Sequence, residues 1–224
     1  LGITEHVLYL NPKTGYKISE YYENTHNASA DNWDDMKTCM DMVRKLHEAG
    51  LKVGHSFNIR ERISFYEKLC LEHGGIPFED YSQVREWVNQ LLDALDKMDL
   101  PQCLCHIDAN VDNFLFLKDG SVKLLDWEYA GMCDPIMDVS MCAIYSYYEE
   151  EQTEKLLELY LQRRPDDKER FITYADAALG GFLWCLWAVY KASLGDEFGE
   201  YTIIMYRYAK RYYKKLMKEL PQFF

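Results

Sequence analysis

Positive charge is scarce in this sequence: 25 Lys and Arg stand against 37 Asp and Glu in 224 residues, a formal net charge of −12. A surface of that sign repels phosphate backbones and anionic headgroups, so neither nucleic acid nor a lipid surface is an expected partner. A small cation is not repelled. Long apolar runs are also lacking. No uninterrupted stretch approaches the ~18 residues of a membrane-spanning helix, and no signal-peptide pattern is visible. Membrane insertion is therefore not expected, and the expected location is cytoplasmic. Internal repeats and low-complexity linkers are missing too, which leaves one large domain or two small ones.

The seven Cys are an odd number, scattered through apolar stretches. They read as reduced, buried thiols and not as a disulfide framework. Cys103-x-Cys105-His106 has the outline of a metal motif. Residues i and i+2 of a strand share a face, however, so both Cys are expected to pack inward, and no pair at zinc-finger spacing exists elsewhere. Aromatic residues are plentiful, with 18 Tyr and 5 Trp. These combine large apolar area with a polar tip and suit a pocket as well as a core.

Turn formers at 11–15 separate two strand-like segments, 6–10 and 16–22. Asp31 or Asn32 can cap a helix that runs to about Ala49 and stops at Gly50, with Trp33, Met36, Met40, Val43 and Leu46 as its apolar stripe. Helical patterns follow at 58–73 and 81–98. The period then shortens to strand-like pieces at 102–105, 113–117 and 122–125, the last two joined by an Asp119-Gly120 hairpin signal. Asp134 looks like an N-cap with Pro135 in the first helical position. Helices are expected at about 135–148, 151–163, 167–193 and 199–218. The expected class is α+β: a small β-piece, then a helical body interrupted by one hairpin.

The polar residues with chemical potential sit on the short strands' loops. His106-Ile107-Asp108 follows one apolar strand, and Asn113 opens the next. Asp126-Trp127-Glu128 follows Val122-Lys123-Leu124-Leu125. Taken singly, such residues are ordinary turn chemistry. Together they form H-x-D-x-x-x-x-N, a strand pair, then an Asp, which is the order of a kinase catalytic loop and its metal-binding Asp. Phosphoryl transfer needs a group to receive the attacking hydroxyl's proton, and cations to neutralise the phosphates. Asp108 can do the first. Asn113 and Asp126 offer the hard oxygen ligands that Mg²⁺ takes.

The stretch from Leu124 to Pro135, Leu-Leu-Asp-Trp-Glu-Tyr-Ala-Gly-Met-Cys-Asp-Pro, closely resembles bacterial choline kinases. These lie within the choline/ethanolamine kinase and aminoglycoside phosphotransferase superfamily, which has a protein-kinase-like fold. The resemblance runs over most of the chain and is most specific across 104–140. It implies an ATP- and Mg²⁺-dependent kinase with Asp108 as base, His106 orienting the loop, and Asn113 and Asp126 as metal ligands supported by Glu128. It further implies that Asp138 holds the loop backbone, although a first-turn helix acid is favourable in any case. Glu20 and Tyr22 match the inter-lobe hinge that would meet adenine.

Trp184 and Trp187 share a helix face. Spacing alone reads them as core. The resemblance implies that they face a quaternary ammonium, with Tyr201 and Tyr129 beside them. Tyr145 falls where eukaryotic relatives have a choline-contacting Glu, and Glu149 is nearby. The acceptor implied is choline. Ethanolamine, an aminoglycoside, or non-catalytic binding of a quaternary amine stay open. A kinase of this class needs an N-terminal lobe with a phosphate-covering loop and a Lys. Lys13 and Lys17 come too late to serve, and the chain begins with Leu1. The expectation is thus a fragment, inactive alone: residues 1–23 a remnant of the N-terminal lobe and hinge, and 24–224 the helical C-terminal lobe with its catalytic β-hairpin. The oligomeric state is not specified by any of these features.

Overall fold

The computed structural model describes residues 1–224. Seven helices make up most of it, and where they start follows from side-chain acceptors. Asn32 accepts from the amides of Asp34 and Asp35 at the head of α1 (Trp33–Glu48), and Asn58 accepts from Glu61 at the head of α2 (Ile59–Glu72). These caps satisfy amides that have no partner inside the helix. α1 stops before Gly50, whose φ of +65° suits glycine. α3 spans Tyr81–Asp96, and α4 spans Ile136–Tyr145. α4 begins one residue later than expected, with Pro135 in the cap position, yet Asp134 Oδ1 still accepts from the Ile136 amide at 2.8 Å. α5 (Glu150–Leu161), α6 (Asp167–Ser193) and α7 (Tyr201–Glu219) complete the body.

Seven short strands form three small antiparallel sheets. β1 (Val7–Leu10) pairs with β2 (Lys17–Ser19) in an exposed hairpin. β3 (His26–Asn27), β5 (Phe114–Phe116) and β6 (Val122–Leu124) make a sheet ordered β3-β5-β6, with Leu115 opposite Lys123. β4 (Cys103–Cys105) pairs with β7 (Gly131–Cys133). Strands β3 and β7 were not expected, because two or three residues are too few to show an alternating pattern. Tertiary pairing creates them. Gly131 has a steric reason: a Cβ there would stand 2.9 Å from the Phe57 amide nitrogen.

α6 is the spine. Its middle is buried on every side, from Phe171 to Leu186. Gly180 and Gly181 allow the close approach of its neighbours. A Cβ on Gly180 would meet Met141 Sδ of α4 at 2.8 Å, and one on Gly181 would meet the Met205 carbonyl of α7 at 2.6 Å. By length and composition this helix could cross a membrane, although no uninterrupted apolar run of ~18 residues marks it in the sequence. Its apolar window is 89% buried inside the protein, so it is a core helix here.

Two apolar clusters flank the strands. One surrounds α6 and includes Leu91, Phe182 and Tyr212. The other lies between α1, α5 and the β5–β6 hairpin and includes Met36, Phe114 and Leu156. Ile107 packs in the first and Ala109 in the second. Asp108 sits between them, so the loop carrying it is anchored at two points. The buried Ile107 side chain contributes roughly 1.5–3 kcal/mol to that anchoring.

Candidate active site

The loop after β4 is held from beneath. Ile107 has φ +72°, a left-handed conformation that a β-branched residue adopts only under constraint. The constraint is Asp138, fully buried on the first turn of α4. Its Oδ1 accepts the Ile107 amide at 2.6 Å and its Oδ2 the His106 amide at 2.8 Å. His47 Nε2, from the last turn of α1, lies 2.9 Å from the same Oδ2. Burial by itself would push the Asp138 carboxyl up, but the hydrogen bond and charge of His47 hold it below its ordinary value. Conversely, burial would lower His47, and Asp138 raises it.

His106 has no exposed surface. Its Nε2–H donates to the Leu125 carbonyl at 2.7 Å, and its ring stands edge-on to Trp127 with centroids 4.8 Å apart. Trp127 in turn donates its indole N–H to the Leu124 carbonyl at 2.9 Å. His106 therefore ties the Asp108 loop to the end of β6, where Asp126 follows.

Asn113 donates its side-chain amide to the Asp108 carbonyl at 2.9 Å and to Asp108 Oδ2 at 3.0 Å. Both donations come from Nδ2, so Oδ1 accepts from no group of the chain. The backbone bond from the Leu125 amide to the Asn113 carbonyl, 2.9 Å, sets Asp126 beside this loop. Asp126 also has a left-handed backbone, φ +60°. Burial raises the Asp108 carboxyl, and the charge of Asp126 adds to it. Burial, then Asp126 and Asp108, raise Glu128 in the same way. Three carboxylates that repel one another, with a free amide oxygen, form a hard-oxygen donor set. That set fits a divalent cation such as Mg²⁺.

Beside Asp108 opens a cavity of about 310 Å³, lined by Glu128, Asn110 and six aromatic rings: Tyr129, Tyr145, Trp184, Trp187, Phe198 and Tyr201. Trp184 and Trp187 stand nearly perpendicular, with centroids 6.2 Å apart, and Tyr129 meets Trp184 edge-on at 5.2 Å. Trp184 is 4% exposed and donates its N–H to Met141 Sδ, so it belongs to core and cavity together. Burial raises the phenols of Tyr129, Tyr145 and Tyr201, which stay neutral.

The four aromatic residues expected around the quaternary ammonium, Trp184, Trp187, Tyr201 and Tyr129, line this cavity, and so does Tyr145. Glu149 does not. It pairs with Arg211 and lines a separate cavity with Arg207 and Lys214. Glu20 and Tyr22 lie outside the aromatic cavity, just past β2, where the Glu20 amide donates to the His6 carbonyl at 2.9 Å. Neither the Glu20 carbonyl nor the Tyr22 amide is used within the chain. Sequence reasoning missed Phe198 and Asn110. Phe198 lies in a loop between Gly195 and Gly199, and its only signal was a position one turn before Tyr201.

The model of the phosphotransferase enzyme family matches residues 20–172. Protein LicA of Haemophilus influenzae is 26% identical over 231 residues, covering 98% of this chain. The match spans 84% of LicA from strain ATCC 51907 / DSM 11121 / KW20 / Rd and 66% of another LicA sequence from that species. The crystal structure of choline kinase LicA from Streptococcus pneumoniae superposes with a TM-score of 0.83 at 25% identity, covering 96% of this chain and 75% of that one. A structure of LicA in complex with AMP gives 0.82 at 26% identity, covering 96% and 74%.

Proposed function

The chain belongs to the phosphotransferase enzyme family, and from that premise we propose that it transfers a phosphoryl group from ATP to the hydroxyl of choline, giving phosphocholine. The observation that carries the reading is the aromatic cavity opening directly onto Asp108. A trimethylammonium group has no N–H to donate. Aromatic faces hold it at roughly 0.5–2 kcal/mol each, and six rings surround the space. The LicA structure from Streptococcus pneumoniae, solved as a choline kinase, supports the same acceptor.

In this reading the cation packs against Trp184, Trp187 and Tyr201, and its two-carbon arm carries the hydroxyl to Asp108. Asp108 accepts the hydroxyl proton as the oxygen attacks. Its raised affinity for a proton improves it as a base, and the Asn113 amide keeps its carboxylate aimed. Asn113 Oδ1 and Asp126, with Glu128 alongside, would hold Mg²⁺, which neutralises charge on the phosphates when bound. The Glu20 carbonyl and Tyr22 amide would receive the adenine edge. Residues 1–23 then act as the hinge segment and 24–224 as the acceptor-binding lobe.

Glu128 on the cavity wall favours a second reading, ethanolamine as acceptor, because a primary ammonium needs oxygen acceptors. A panel of choline, ethanolamine and an aminoglycoside, assayed with ATP and Mg²⁺ on the full-length protein, separates the two. The expected result is the highest kcat/KM for choline. Faster turnover of ethanolamine would overturn the choline assignment.

A further inference from the structure

The Cys103-x-Cys105 motif, which its spacing alone assigns to the core, acquires a third member once the chain is folded. His47 comes from α1, which packs against β4. One ligand atom each of His47, Cys103 and Cys105 lies within 4.8 Å of the other two. The two sulfurs are 3.6 Å apart. In a tetrahedral site with Zn–S bonds of ~2.3 Å, two thiolates stand roughly 3.8 Å apart. The strand thus already holds its sulfurs at the separation a metal would impose.

We propose that His47, Cys103 and Cys105 bind a borderline transition-metal dication of the zinc class. This site is separate from the hard-oxygen set of Asn113, Asp126 and Glu128, and it does not depend on the function proposed above.

Two further observations support it. First, His47 is already oriented as metal-binding histidines are, with a carboxylate behind the ring. Nε2–H donating to Asp138 leaves the Nδ1 lone pair, which faces the Tyr160 hydroxyl at 2.8 Å. The metal takes that lone pair in place of the hydrogen bond to Tyr160. Second, two buried carboxylates stand close to the site. Asp138 and Asp134 are both buried, and both act on the imidazole. The Cys103 thiol and burial keep the Cys105 thiol protonated, and it donates to the carbonyls of Cys133 and Asp134. The neighbouring Cys105 thiol lowers Cys103, which is half-buried and offers the way in.

On binding, two S–H bonds break, two metal–sulfur bonds form, and two protons leave to solvent, so affinity rises with pH. The metal clamps α1 to β4, whose last residue is followed directly by His106.

The test is titration of the protein with Co²⁺ under a phosphine reductant, reading the sulfur-to-cobalt charge-transfer absorption. The expected result is one Co²⁺ per chain with that absorption, displaced by Zn²⁺, and a rise in Tm with Zn²⁺. Cys103→Ser, at a half-buried position where the fold tolerates the change, loses both effects while unfolding cooperatively without metal. Absence of charge-transfer absorption at saturating Co²⁺ would overturn the proposal. So would absorption of equal strength in Cys103→Ser, since the sulfur would then belong to another Cys.

Discussion

The Asp138 carboxylate receives the Ile107 amide at 2.6 Å and so keeps a β-branched residue in the left-handed region one position before Asp108. A buried helix acid and a strained loop residue are therefore one device. It holds the backbone of the loop that carries Asp108.

Asp138→Asn tests that device. It leaves His47 without its counter-charge and weakens the grip on two amides. Breaking a buried pair costs on the order of 3–5 kcal/mol, which urea unfolding would read. Asp138 is lowered, so its contribution is present above ~3.9 and fades as pH falls through its folded value. His47 is raised, so its contribution is complete below ~6.5 and fades as pH rises through its folded value. The variant's deficit should thus be largest between roughly pH 4 and 6.5. A deficit independent of pH would separate the two residues.

Asp108 must be ionised to accept a proton, and burial raises it. The acid limb of kcat/KM should have its midpoint above the ~3.9 of an unperturbed Asp. Asp108→Asn should abolish turnover and leave choline affinity within a few-fold, as measured by calorimetric titration. Near-normal turnover would remove Asp108 from the role of base.

The two tryptophans should respond differently. Trp187 is half-buried, and its truncation removes one aromatic face, worth about 0.5–2 kcal/mol. The KM for choline should rise about 2- to 30-fold, with the KM for ATP little changed. Trp184 is 4% exposed, and Trp184→Ala should also cost about 3–5 kcal/mol of stability. An unchanged choline KM in Trp187→Ala would make that ring core alone.

Asp176 is buried in α6, and its Oδ2 has no hydrogen-bond partner. Burial, then the charge of Asp134, push its carboxyl well up, while Asp134 itself is pushed up to about 6. A raised carboxyl contributes stability below its unfolded value of ~3.9 and loses it as pH rises toward the folded one. Asp176→Asn should therefore gain Tm over the wild type as pH is raised from about 4 to 8. A constant difference across that range would show that folding does not raise the Asp176 carboxyl.

Gly181→Ala places a methyl group 2.6 Å from the Met205 carbonyl and 2.7 Å from Tyr208 Cβ. Overpacking of this kind costs about 1–3 kcal/mol. Thermal unfolding should show the loss, and an unaffected Tm would mean that α7 moves aside freely.

The long helices were legible because caps and apolar spacing mark them locally: Asn32 and Gly50 fall where the sequence puts them. The order of His106, Asp108, Asn113 and Asp126 was legible for the same reason, with the hairpin between them signalled by Asp119-Gly120. What stayed hidden depends on contacts between distant segments. β7 exists only because β4 lies beside it. His47 joins Asp138 and the two thiols from another helix, and an inward-facing His on an amphipathic helix gives no hint of its partners. Glu149 looked close to the cavity in sequence, but its pairing with Arg211 turns it to another face.

α6 supplies both the tightest packing of the core and one wall of the aromatic cavity. Trp184 belongs to each, whereas Phe198 and Tyr201 stand on the loop and helix start beyond it. The cavity therefore has a floor that cannot be redrawn without weakening the whole molecule, and a rim that can. Changes of ligand preference arising by mutation should accumulate at the rim, in Trp187, Phe198 and Tyr201, while Trp184 stays as inherited.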